Sequence, residues 1–189
     1  MPTASPASIP ELLISVRELK RQPGTAKRLV VRFQAPNDLG TDVIGIPAGD
    51  RVELDLLLES VLEGVLATGT ARGLARGECV RCLEPVSLPL EVGFQELHVY
   101  PERALAARES GEDAPDDPQV VDDAINLESA VRDAVVLALP FQPLCQEDCL
   151  GLCPQCGYLL REDPSHAHQV TDSRWAALQD LLDDERKET

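Results

Sequence analysis

Aromatic side chains are scarce in this chain. Three Phe, two Tyr and one Trp make up 3% of its 189 residues. The apolar fraction is nonetheless ordinary at 43%, so a core of normal size must be filled with Leu, Val and Ala. No run of about 18 apolar residues occurs, which excludes a membrane-spanning helix. Met1 to Pro10 lacks a basic stretch followed by an apolar one, so no signal peptide is expected and the protein reads as cytoplasmic. There is no glycine-rich phosphate loop, no serine nucleophile elbow and no His-Glu-x-x-His pair, so no motif argues for an enzyme. Histidine is limited to His98, His166 and His168. The last two sit in a polar stretch with no motif around them and read as exposed surface histidines.

Basic residues are missing chiefly from the second half. Residues 1–82 hold ten Lys/Arg and ten Asp/Glu, whereas residues 83–189 hold seven and twenty-three and carry the whole net charge of -16. Such a half repels nucleic-acid phosphates and suits a basic partner. The cationic exception lies near the start, where Arg17, Lys20, Arg21, Lys27 and Arg28 form a small cluster. It reads mainly as a solvated face, with RNA contact as the minority reading.

Cysteine is present in two places and nowhere between. Cys79-Val-Arg-Cys82 is one tight pair; Cys145, Cys149, Cys153 and Cys156 fall within thirteen residues and end in Gly157. Paired cysteines in a cytosolic chain point to metal or redox chemistry rather than structural disulfides. Cys-x-x-Cys followed by Gly is the form of a zinc knuckle, in which the chain turns back so that both thiolates reach one ion. The preferred arrangement joins Cys79/Cys82 to Cys153/Cys156 around one zinc, with Cys145 and Cys149 as the rival second pair or as ligands of a second ion. Three other readings compete. An iron–sulfur cluster fits the Cys149-x-x-x-Cys153-x-x-Cys156 spacing, but only 33 residues follow, too few for a radical enzyme's barrel. Thiol redox chemistry needs a Cys-x-x-Cys that opens a helix, and Cys79 follows strand sequence. Zinc catalysis needs an open position and a general base.

Along the chain, residues 1–10 are expected to be disordered, and Leu12 to Lys20 to make one or two helical turns. Leu29–Phe33, Val43–Ile46, Val52–Leu56, Val61–Thr70 and Val86–Tyr100 carry strand patterns. Gly73 and Gly77 suggest bulges or bends, and Pro89 an edge strand. Cys79 and Cys82 then lie at a hairpin. Residues 102–118, rich in acids, Pro, Ser and Gly, are expected to be a flexible acidic loop. Asn126 caps a helix running to Leu139, stopped by Pro140, with Leu127, Val131, Ala134, Val135 and Ala138 on one face. Val136, Leu137 and Leu139 widen that face, which predicts burial on most sides and delivery of Cys145 toward Cys79 and Cys82. Asp172 caps a short helix carrying Trp175, Leu178, Leu181 and Leu182, and residues 183–189 form a charged tail. The fold class is α+β: a mostly antiparallel sheet packed by one long helix, with a zinc-knuckle C-terminal segment, residues 145–157.

These parts, in this order, resemble the YceD family. The resemblance rests on Cys79-x-Arg-Cys82-Leu83, Leu139-Pro140, Cys145-x3-Cys149-x-Gly151-Leu152-Cys153-Pro154-x-Cys156-Gly157 and Asp172-x-Arg174-Trp175. It covers about Leu13 to Leu182, within a single domain of residues 11–182. It implies a non-enzymatic role in accumulation of large-subunit (23S) ribosomal RNA, and so in ribosome assembly. It also implies a structural metal, and as partner a small basic large-subunit ribosomal protein, whose gene often neighbours the family's, or a pre-ribosomal particle. Tyr158-Leu159-Leu160 departs from the family's frequent Asn-Leu-Asn. The alternative is an enzyme, either a thiol oxidoreductase using Cys79/Cys82 or an rRNA-processing enzyme.

Overall fold

The computed structural model describes residues 9–37, 39–109 and 118–168. The chain divides into two compact units, Met1–Cys145 and Gln146–Thr189.

The first unit is built on a five-stranded antiparallel sheet. β2 (Ala26–Gln34) pairs with β4 (Arg51–Ser60), β4 with β5 (Gly64–Glu78), and β5 with β6 (Pro85–Val99). The short β3 (Ile44–Gly45) pairs with β5 beyond the end of β4, at Gly77 and Arg76. β4 shows why these segments become strands. Val52, Leu54, Leu56 and Leu58 are buried while Arg51, Glu53, Asp55 and Glu59 alternate with them on the other face, the two-residue period of a half-buried strand. On that other face Arg32 meets Glu53 at 2.7 Å, and Arg72 bridges Asp55 and Glu91. A second, two-stranded sheet pairs β1 (Leu13–Ser15) with β7 (Ala124–Asn126).

The core is aliphatic, as the composition requires: Leu12, Ile14, Val52, Leu54, Leu58, Val65, Ile125, Leu127, Val131 and Val135 belong to one buried cluster, with Phe33 and Tyr100 its aromatic members. β5 contributes small residues to it. Its core-facing positions run Ala67, Gly69, Ala71, Gly73, Ala75, Gly77. Gly73 and Gly77 are therefore not bulges, because pairing with β6 continues through both, to Leu90 and Val86. They are glycine because neighbours come close. A Cβ on Gly73 would lie 2.7 Å from Ile46 Cδ1, and one on Gly77 only 2.3 Å from the Val43 carbonyl oxygen. Pro89 does lie on an edge, since along that stretch β6 pairs with β5 alone.

Two helices complete the described part of this unit. α1 (Pro101–Glu109) replaces the first half of the expected acidic loop. Pro101 starts it with a preset φ, an alanine-rich turn favours it, and Arg21 holds Glu102 at 2.9 Å while lying over the Tyr100 ring. Residues 110–117 of the expected loop lie outside the described residues. α2 (Glu128–Ala138) has 11 residues, so the expected long helix is an ordinary one. The Asn126 side-chain oxygen accepts the Glu128 N–H at 2.9 Å. Ala130, Val131 and Val135 are buried, but Leu137 is 83% exposed and Ala138 is exposed too. The last turns are thus open on one side, contrary to their apolar sequence. Near the start, two short 3-10 turns, Pro10–Leu12 and Arg17–Leu19, flank β1 in place of a continuous helix. Leu13 and Ser15 alternate with buried Ile14 because β7 is there to pair with.

In the second unit the described residues, 146–168, form turns stitched by a bridge between Leu152 and Leu159. The Leu160 N–H donates to the Gly151 carbonyl at 3.0 Å. The expected helix at 172–182, the tail at 183–189 and residues 1–8 lie outside the described residues.

The tight approach at β3 gives a direct test of this packing. Gly77→Ala forces a Cβ onto the Val43 carbonyl, where no flexible side chain can yield. It is expected to destabilise the protein by about 2 kcal/mol, read as a lower denaturant midpoint at unchanged m-value.

Candidate metal centres

Cys79 continues the core-facing alternation of β5 one residue past the strand, and the chain then turns through Val80 to Glu84 into β6. The turn is closed by two backbone hydrogen bonds: Cys79 N–H to the Glu84 carbonyl at 2.8 Å, and Leu83 N–H to the Cys79 carbonyl at 2.9 Å. Leu83 takes a left-handed φ of 62° to make the second. The Val80 N–H donates to the Pro143 carbonyl at 2.9 Å, which ties the segment after α2 to this turn. Cys145 is thereby delivered as expected, with its Sγ 3.5 Å from that of Cys82. The sulfurs of Cys79, Cys82 and Cys145 lie within 4.8 Å of one another.

The electrostatics of Cys79 are those of a metal ligand. Burial pushes the Cys79 thiol up, and backbone hydrogen bonds from Cys145, Arg81 and Cys82 outweigh it, leaving the pKa lowered to about 6. The lowering favours the thiolate, the form that binds a metal. N–H groups aimed at sulfur spread that charge.

The second unit repeats the device. Cys153 N–H donates to the Tyr158 carbonyl at 2.8 Å and Gly157 N–H to the Cys153 carbonyl at 2.8 Å, the same two bonds at the same spacing. Gly157 occupies the left-handed position with φ 72°. Backbone hydrogen bonds from Gln155 and Cys156, against the opposing effect of burial, lower the Cys153 thiol to about 6. Around it stand His166 and His168. Cys156 Sγ is 3.2 Å from His166 Nε2 and 3.1 Å from His168 Nε2. The donor atoms of Cys153, Cys156, His166 and His168 all lie within 4.8 Å of one another. Cys149 is buried in the same unit, its N–H bonded to the Gln146 carbonyl at 3.2 Å.

The expected pairing of Cys79/Cys82 with Cys153/Cys156 around one ion would join the two units, whereas each unit also gathers donors of its own. Cys79 and Cys82 gather with Cys145, while Cys153 and Cys156 gather with two imidazoles. The first pair is joined by a thiol from the segment after α2, the second by imidazoles from the chain that follows it. The histidines were missed because nine residues separate His166 from Cys156; the Asx turn that presents it was the available signal. Asp163 Oδ1 accepts the Ser165 N–H at 2.9 Å and its hydroxyl at 2.6 Å, and the His166 N–H reaches the Asp163 carbonyl at 3.1 Å. His98 belongs to neither set. It is buried on the core face of β6, its Nε2 2.9 Å from Glu96 Oε2.

The five basic residues do not assemble into one open patch. Arg17 and Arg21 lie 3.9 and 3.6 Å from Asp123, Arg21 also holds Glu102, and Lys27 lies 3.0 Å from Glu18. Lys27 and Arg28 are consecutive in β2 and so point to opposite faces of the sheet. Lys20 and Arg28 have no ion pair among the described residues.

Comparison with known proteins adds a family. A family model described as large ribosomal RNA subunit accumulation protein YceD matches residues 67–182, a span that holds both knuckles. A protein of Mycobacterium tuberculosis and one of Mycobacterium bovis, both described as uncharacterized, are each 41% identical over 96% of this chain and 86% of their own. One of Mycobacterium leprae, described likewise, is 37% identical over 92% of this chain and 79% of its own. No solved structure matches.

The two knuckles predict opposite responses at their equivalent positions. Gly157→Ala puts a Cβ at positive φ, where no neighbour lies within 4 Å, and should cost about 1 kcal/mol through backbone strain alone. Leu83 is 61% exposed, so Leu83→Gly loses little packing and relieves the same strain, offset in part by chain entropy. It should leave stability unchanged or raise it by up to about 1 kcal/mol. Thermal melts of the two variants check the contrast.

Proposed function

The chain belongs to the YceD family of large ribosomal RNA subunit accumulation proteins, and from that membership we propose that it is a non-enzymatic factor in assembly of the large ribosomal subunit. The family match is the observation that carries this reading. The charge distribution supports a way of acting. Residues 83–189 hold twenty-three acids against seven basic residues, and three of the five clustered cations nearer the start are already paired with carboxylates. A surface of that sign attracts a basic ribosomal protein and repels RNA. The protein accordingly holds or delivers a small basic large-subunit protein, and its RNA contacts fall to Lys20 and Arg28 with the rest of that cluster.

Zinc is the metal that fits. Thiolate donors at knuckle spacing suit zinc and exclude magnesium or calcium, which take oxygen ligands. Cys79, Cys82 and Cys145 hold it. Its role is structural, tying the segment after α2 to the hairpin.

One observation favours the redox alternative: the Cys79 thiol is lowered to about 6. Yet Cys79 has no exposed surface, and a nucleophilic thiolate must be reachable. Cys153 shows the same lowering from the same kind of turn, which assigns the effect to the knuckle rather than to catalysis.

Binding measured across salt tests the partner. Purified protein should bind a small basic large-subunit ribosomal protein with an affinity that falls several-fold as ionic strength rises. Fragments of 23S rRNA should bind weakly, and charge reversal at Arg17, Lys20, Arg21, Lys27 and Arg28 should abolish what binding they show. Tight RNA binding that survives the reversal and needs no ribosomal protein would overturn the proposal.

A further inference from the structure

We propose that the second unit binds a zinc ion of its own, through Cys153, Cys156, His166 and His168, so that the chain carries two zincs with unlike donor sets. The convergence of three atoms is the first argument. His166 Nε2 and His168 Nε2 are 2.9 Å apart, and Cys156 Sγ is within 3.2 Å of both. Each Nε2 has a single in-plane site, which carries either a proton or a lone pair. Hydrogen bonding can satisfy at most two sides of this triangle, both at the sulfur, and leaves two protons or two lone pairs facing each other across the third. A cation among the donors satisfies all three at once. Zinc bonds of about 2.0–2.3 Å place tetrahedral ligand atoms about 3.3–3.8 Å apart, so the donors need spread only by a few tenths of an ångström. Two thiolates and two imidazoles are a common structural zinc set.

The unit's packing is the second argument. Among residues 146–168 the buried positions are Cys149, Gly151 and Cys153. No helix or extended strand is present among them. Apolar burial of that size does not offset the cost of ordering some twenty residues. The turns are nevertheless specific: the Cys153 knuckle, the Asx turn at Asp163, and the Tyr158 ring stacked on His166 at 4.6 Å between centroids. Each positions a ligand or backs one. An ion supplies the missing energy, as it does in small metal-folded domains.

Ion counting decides the matter, independently of any ribosomal partner. Full-length protein purified anaerobically should contain two zincs per chain by elemental analysis. The double variant His166→Ala/His168→Ala should contain one, and limited proteolysis should then cut within residues 146–168 while residues 9–109 stay protected. Cobalt replacing zinc gives a second readout. The double variant His166→Cys/His168→Cys should keep two ions and shift the cobalt bands to longer wavelength with stronger sulfur charge transfer. One zinc in the wild type, or two zincs retained in the alanine variant, would overturn the proposal, as would iron with acid-labile sulfide.

Discussion

Fifteen consecutive residue pairs join β5 to β6, from Gly64 opposite Val99 to Glu78 opposite Pro85. Everything at the first cysteine pair depends on that register. Side chains alternate between the two faces of a sheet, so a slip of one residue would turn Cys79 from the core side to the solvent side. The register is held by what lies on the core face. β5 presents Ala and Gly there, and β6 presents the larger Leu88, Leu90, Val92 and Phe94 opposite them. The Phe94 ring lies over Gly69, at a place where any side chain on β5 would collide with it. The hairpin therefore delivers its turn in one orientation, and the turn delivers two sulfurs.

The turn itself solves a local problem: keeping a sulfur negative inside a protein, ready for a metal. Backbone N–H groups do that wherever the chain doubles back after a cysteine, and the fifth residue must then take a left-handed conformation. Gly157 does so without strain. Leu83 does so against its preference, because its N–H is needed by the Cys79 carbonyl. The repetition of the same bonds in two units, on unrelated surrounding sequence, argues that sulfur chemistry, and not the sheet, shapes these loops.

How much of this was legible beforehand varied with the physics involved. The strands were, since alternation along Val52 to Leu58 and the edge position of Pro89 are properties of a few adjacent residues. The hairpin at Cys79 and Cys82 and the knuckle at Gly157 were legible for the same reason. The grouping of ligands was not. Cys145 meets Cys82 across 63 residues, a relation set by where α2 ends rather than by any spacing. His166 and His168 carry no periodicity and were read as surface groups. α1 was obscured because the acids around Glu109 to Asp117 dominate the composition, while the helix depends on Pro101, three alanines and a distant Arg21. The exposed Leu137 teaches the converse: an apolar residue on a helix is not thereby a buried one.

The link between Cys82 and Cys145 alters what a break in the chain means. With an ion held by Cys79, Cys82 and Cys145, the polypeptide between them is a closed ring, fastened by coordination at one point and by peptide bonds elsewhere. A scission in that ring ahead of β7 leaves two fragments still fastened to the same metal and still paired through β1 and β7. Such a protein could be expressed as separate halves, joined on adding zinc and parted by a chelator, so that continuity of the backbone becomes dispensable while continuity through the metal does not.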